Sequence, residues 1–129
     1  MSCSSTDDVQ ALADRYNNYG PQRIGDRTVL TGVTYNSNIF SFNYKVDHIS
    51  NSGYEDNFLL NSTIESQKLV VKSEEFDPLR KKGTHLGFIY KDNNNKAFVV
   101  IFFSVDKNQK FYLNKELGES IKREMNNRK

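Results

Sequence analysis

The chain is poor in the residues that most often announce chemistry. Among 129 residues there are one Cys, no Trp, two Pro and two His. A single thiol, Cys3, cannot close an internal disulfide, so disulfides do not reveal the compartment. His48 and His85 lie far apart in the chain, with no Cys beside either. A zinc or iron site needs several ligands converging, usually two at short spacing on one element, so no metal is expected. No G-x-S-x-G elbow occurs. A Ser-His-Asp triad stays open, because its members converge only in space. The net charge of +2 is too small to point to nucleic acid or to an acidic substrate. No apolar run approaches the roughly 18 residues of a membrane span. No cofactor is implied.

What the chain does have is a core. Hydrophobic residues make up 36% and aromatic residues 12%, all of the latter Phe and Tyr. A chain of this length buries roughly two-thirds of its unfolded surface and folds without staples. The organising stretch is 83–105. Leu86, Phe88 and Tyr90 alternate in a first strand, 84–91, and the polar run Asp92 to Asn95 turns the chain. A second strand, 97–105, is apolar on both faces. Ala97, Val99, Ile101, Phe103 and Val105 oppose Phe98, Val100 and Phe102, so both faces need cover and the strand belongs inside a sheet, under helices.

The other elements follow from period and punctuation. Val9, Leu12, Ala13 and Tyr16 recur at helical spacing behind Asp7 and Asp8, and Gly20-Pro21 ends that helix. Strands are expected at 28–35, with Val29, Thr31, Val33 and Tyr35 on one face, and at 39–47, with Phe40, Phe42, Tyr44 and Val46 inward. Ser52 to Glu55 has capping-box spacing ahead of a helix reaching about Lys72. Its apolar positions, among them Leu69, Val70 and Val71, spread widely, so a shorter helix followed by a strand near 69–71 is an alternative. Asp77 as cap, with Pro78 at the first helical position, opens a short turn that Gly83 closes. Asn114 caps a last helix bearing Leu117, Ile121 and Met125, which Gly118 weakens by about 1 kcal/mol. The expected fold is α+β: a four-stranded antiparallel sheet of two hairpins, with N-terminal, middle and C-terminal helices packed on it. Residues 1–6 read as a flexible tether and 7–129 as one domain.

The remaining polar clusters have ordinary explanations. Glu74, Glu75 and Asp77 run into Arg80, Lys81 and Lys82, the charge order that suits a short surface helix. Lys96 to Phe103 is similar to the first signature strand of an RNA-recognition module. It lacks that strand's Gly, small residue and middle aromatic, and the element order differs, so no nucleic acid is expected. Asn61-Ser62-Thr63 matches a glycosylation sequon inside an expected helix.

Cys3 followed by Ser4-Ser5-Thr6 resembles the mature start of a bacterial lipoprotein, with Met1-Ser2 in place of a cleaved leader. The run Phe76-Asp77-Pro78-Leu79-Arg80-Lys81-Lys82-Gly83 ahead of Ile89-Tyr90 and an apolar strand is similar to small bacterial envelope proteins. Their pattern is C-x-D-P-x-x-R-x-x-L-x-x-G before an aromatic hairpin. Here Phe76 stands near the Cys position, Asp106 near its partner, and Asn94-Asn95 replaces the turn Gly. The resemblance implies a lipid on Cys3, the periplasmic side of the outer membrane, and no catalytic residues. The expected role is non-catalytic: an accessory, protein-binding module of a secretion or conjugation machine. An immunity or inhibitor protein and a small enzyme are the alternatives. Tyr19, Tyr54 and Tyr112, at element ends, are the candidate partner-binding residues, because tyrosine can anchor a ring while its hydroxyl stays wet.

Overall fold

The computed structural model describes residues 8–25, 27–47 and 53–127, and of 53–60 the main chain only. The expected tether, Cys3, His48 and the side chain of Tyr54 lie outside the described residues. In chain order the elements are α1 (Asp8–Asn18), β1 (Gln22–Arg23), β2 (Thr28–Asn36), β3 (Ile39–Val46) and α2 (Gly53–Val70). A 3-10 turn (Glu74–Phe76) follows, then α3 (Asp77–Lys82), β4 (His85–Lys91), β5 (Ala97–Val105), β6 (Phe111–Leu113) and α4 (Lys115–Asn127).

The class is α+β, but the sheet is larger and mixed. Six strands lie in the order β1-β2-β3-β4-β5-β6. The two expected hairpins are present, β2–β3 and β4–β5, and both are antiparallel. They join through β3 and β4, which run parallel, Phe42 opposite Phe88 and Tyr44 opposite Tyr90. This corrects the all-antiparallel expectation. The physical reason is the link: α2 and α3 carry the chain back to the end at which β3 began, and a long helical crossover is what parallel neighbours require. The additional strands, β1 and β6, have two and three residues, too few to alternate visibly in sequence.

Two bulges change which side chains face the core. Between Leu30 and Gly32 the β2–β3 register slips. Leu30 and Val33 are buried and Thr31 is exposed; of the four residues expected on one face, Val33 and Tyr35 pack on the core, but Leu30 stands there in place of Val29 and Thr31. One extra residue inverts the phase of everything beyond it. A second slip lies between Tyr90 and Lys91. It moves Ala97 to the opposite face from Val99 and into one group with Val100 and Phe102.

On one face of the sheet α1, α2 and α3 cover a core that includes Val9, Leu12, Ile64, Phe76 and Leu79. Across the parallel pair the rings form a ladder. Phe42 and Phe88 stack at 5.4 Å and 5°, Tyr44 and Tyr90 at 4.4 Å and 12°. On the other face α4 lays Leu117, Ile121 and Met125 over Ile89, Val100 and Phe102. Strand β5 is therefore interior and covered twice, as its two apolar faces demand. The helix-weakening Gly118 has a packing reason: a Cβ there would meet the Val100 carbonyl oxygen at 2.9 Å. The continuous α2 replaces the helix-then-strand alternative. Ser73 caps the 3-10 turn, accepting from Glu75 N–H at 3.3 Å, while Phe76 and not Asp77 holds the cap position of α3, with Asp77 already inside that helix.

Side-chain amides finish the sheet edges. Asn17 of α1 donates to Val33 O and accepts from Val33 N–H, both at 2.8 Å, along a part of β2 that β1 does not reach. Asn126 of α4 does the same for Ala97 of β5, at 2.8 and 3.0 Å. Each amide replaces a missing strand and hides a main-chain donor and acceptor that invite pairing.

Candidate binding cleft

Arg80 builds the site. Its guanidinium donates to Val71 O and Ser73 O, both at 2.7 Å, and pairs with the Asp77 carboxylate. It also lies over the Phe111 ring, 5.5 Å from the centroid. One planar fork thus ties the end of α2, the 3-10 turn, α3 and β6 together, a task for which five fixed donors suit arginine and not lysine. The β5–β6 turn forms the opposite wall. Asp106 Oδ1 accepts from Asn108 N–H and Lys110 N–H at 2.8 and 3.0 Å. The β4–β5 turn repeats the device with Asp92, at 2.9 and 3.0 Å.

Between these walls lies an open cleft of about 980 Å³, at the upper end of the range for small-ligand sites. Val71, Phe103 and Leu113 give it an apolar floor. Five cationic side chains line it, Lys68, Lys72, Arg80, Lys81 and Lys110, against the carboxylates of Glu74 and Asp77. That surplus of three positive charges exceeds the surplus of two carried by the whole chain. Lys68 pairs with Glu65 at 3.2 Å and Arg80 with Asp77, whereas Lys72, Lys81 and Lys110 have no ion pair among the described residues. Beside Lys68 and Val71 sit Leu69 and Val70, 71% and 42% exposed. Their outward direction explains the poor amphipathic pattern of α2.

Of the tyrosines singled out in the sequence, Tyr112 lines this cleft and is 48% exposed. Tyr19 is 68% exposed and follows α1, which packs on β2. Strands β2 and β6 are four places apart in the sheet, about 19 Å at the usual strand spacing, so the two rings do not share a patch. Sequence reasoning missed Leu69, Val70, Lys72 and Lys110. A signal existed: Leu69-Val70-Val71 breaks the helical period, and two lysines, Lys68 and Lys72, flank it.

A second polar group lies on the α4 face. His85 Nδ1 and Ser104 Oγ are 2.8 Å apart, and Asn114 Nδ2 donates to the same Oγ at 2.9 Å. Asn114 Oδ1 also caps α4 through Leu117 N–H at 3.1 Å, as its position in the sequence predicted. Ser104 is 2% exposed, so its hydroxyl acts as a buried junction between strand and helix cap. No group of His, Cys, Asp and Glu among the described residues has the arrangement of a metal site.

Buried phenols carry the clearest electrostatic signature. Burial raises the Tyr44 and Tyr90 hydroxyls above their ordinary value of 10.0; Tyr44 is raised further by its neighbours Tyr90 and Tyr16, while the bond from Gln67 Nε2 to Tyr90, 2.9 Å, pulls the other way. Tyr16 is raised by burial and by its bond to Glu75. A phenol whose folded value is raised contributes stability that is full below the unfolded value and is lost as pH rises above it. Urea midpoints are therefore expected to hold steady up to about pH 9.5 and then fall. The limiting slope from Tyr44 and Tyr90 is about 1.4 kcal/mol per pH unit each. A Tyr90→Phe variant should lose one share of that slope; an unchanged slope would contradict the assignment.

No protein-family model and no curated protein matches the sequence. Among solved structures, the chain is similar to a Pseudomonas aeruginosa protein provisionally described as secreted, with a TM-score of 0.60 and 15% identity. The match covers 84% of this chain and 97% of that one. At that identity the likeness extends to the fold: helices on both faces of a mixed sheet.

Proposed function

We propose that the protein is a non-catalytic binding module of the bacterial cell envelope. A lipid on Cys3 holds it to the periplasmic side of the outer membrane, and the cleft engages a protein partner of accessory type. The observation that carries this reading is the exposed pair Leu69 and Val70 beside a cleft with a surplus of cations. Adjacent exposed apolar side chains rimmed by polar groups fit an interaction surface. The resemblance of Cys3-Ser4-Ser5-Thr6 to a lipidated segment supports the location, as does a fold shared with a protein described as secreted. Against catalysis, the close Ser-His pair among the described residues has its hydroxyl buried and already engaged by Asn114. Against an inhibitor of the acidic type, the concentrated charge is positive.

Two measurements test this together, on the gene with its natural upstream sequence. Cys3→Ser should move the protein from the membrane to the soluble fraction; membrane retention by the variant would contradict the anchor. Affinity capture from envelope extract should then retain a defined partner that Leu69→Ser with Val70→Ser releases and Tyr19→Ala keeps. Both positions are exposed, so the fold should shift by less than about 0.5 kcal/mol. Loss with Tyr19→Ala alone would place the interface elsewhere.

A further inference from the structure

Strand β6 has a free edge, and that edge borders the cleft. Asn114 N–H donates to Phe102 O and Asp106 N–H to Lys110 O, at 2.8 and 2.9 Å. These bonds bracket the register Phe103–Leu113, Ser104–Tyr112, Val105–Phe111. In an antiparallel ladder that makes Ser104–Tyr112 the bonded pair, so the N–H and C=O of Phe111 and Leu113 point away from β5. Those groups have no hydrogen-bond partner among the described residues. The contrast with β2 and β5 is direct, because there Asn17 and Asn126 occupy the open edge positions. All three β6 residues line the cleft. Side chains alternate between sheet faces, so three consecutive lining residues mean that the strand's edge itself forms the wall.

Resting on the reading of the cleft as a protein-binding site, we infer that its occupant is an extended, acidic peptide segment of the partner, added to the sheet as a strand beside β6. Two donors and two acceptors of Phe111 and Leu113 supply main-chain bonds, which are indifferent to sequence. Charge sets the choice of sequence. The unpaired Lys72, Lys81 and Lys110 border the same space, and alternate carboxylates of an added strand face them. Basic or neutral strands gain the main-chain bonds but leave that field unanswered.

The test is selection of a displayed library of random dodecapeptides on the full chain. Selected peptides should be acidic, with carboxylates at alternate positions. Their binding should fall roughly tenfold or more on Lys72→Glu with Lys110→Glu, and should not change on Lys45→Glu, which lies on the exposed side of β3. Backbone N-methylation of a selected peptide at alternate residues should abolish binding in one phase and spare it in the other, since only one phase points at β6. Peptides that map to the cleft but are neutral or basic, or that bind equally in both N-methyl phases, overturn the acidic strand and leave the binding cleft standing. Peptides indifferent to Leu69→Ser and Val70→Ser as well as to the charge reversals overturn both.

Discussion

Phe42→Ala is expected to cost about 3–5 kcal/mol, the upper range for truncating a buried aromatic. The ring is 4% exposed and lies in the middle strand pair. It touches Tyr16 of α1 at 5.0 Å, Phe76 of the 3-10 turn at 6.0 Å, and Phe40, Tyr44 and Phe88 within the sheet at 5.5, 6.4 and 5.4 Å. Its removal loosens two helical segments and the parallel junction at once, and the surrounding rings are too rigid to collapse into the space. Set against a total stability of about 5–15 kcal/mol, the loss leaves a marginal protein. The melting temperature should fall by roughly 10–20 °C. Phe42→Leu keeps most of the volume and should cost less than about half as much. A drop of only a few degrees for Phe42→Ala would mean that the sheet halves are not joined through this ring.

Gly87→Ala is the second large effect, and its sign is the informative part. Glycine inside a strand ordinarily weakens it, so alanine there is ordinarily worth about 0.5–1 kcal/mol of stability. Here the cross-strand partner of Gly87 is Phe102. A Cβ at Gly87 would lie 2.4 Å from two atoms of the Phe102 ring and 2.9 Å from a third. The ring is 1% exposed and packed beneath α4. It has nowhere to turn without lifting that helix, so the substitution should destabilise by about 1–3 kcal/mol. Combining Gly87→Ala with Phe102→Leu should recover part of the loss. A double-mutant cycle from urea midpoints then gives a favourable coupling; strict additivity would show that the ring does not occupy the glycine's space.

The limits of the sequence follow from range. Local pairs were legible: Phe40, Phe42, Tyr44 and Val46 declare an inward face, and β5 declares two. The turns were legible as well, because Asp and Asn bond their own main chain, as Asp92 does here. The parallel β3–β4 contact was not, since strand direction is set by a helical crossover whose path no local pattern records. The bulge at Thr31 was invisible because an extra residue alters the phase, not the composition. The cleft was hidden for a related reason. Lys68 lies on α2, Lys72 on the turn after it, Lys81 on α3 and Lys110 on a distant turn, in a chain of net charge +2. Only the fold brings them together, with Arg80 tying the end of α2 and α3 to β6.

Photo-crosslinking inside the cells that make the protein tests the binding cleft most directly. A photoreactive side chain is placed in turn at positions 69, 72 and 110 around the cleft, and at positions 19, 31 and 45 elsewhere. The predicted result is one discrete adduct from the first three positions and none from the others. An adduct arising from positions 31 and 45, or from position 19 alone, would contradict the cleft as the working surface of the molecule.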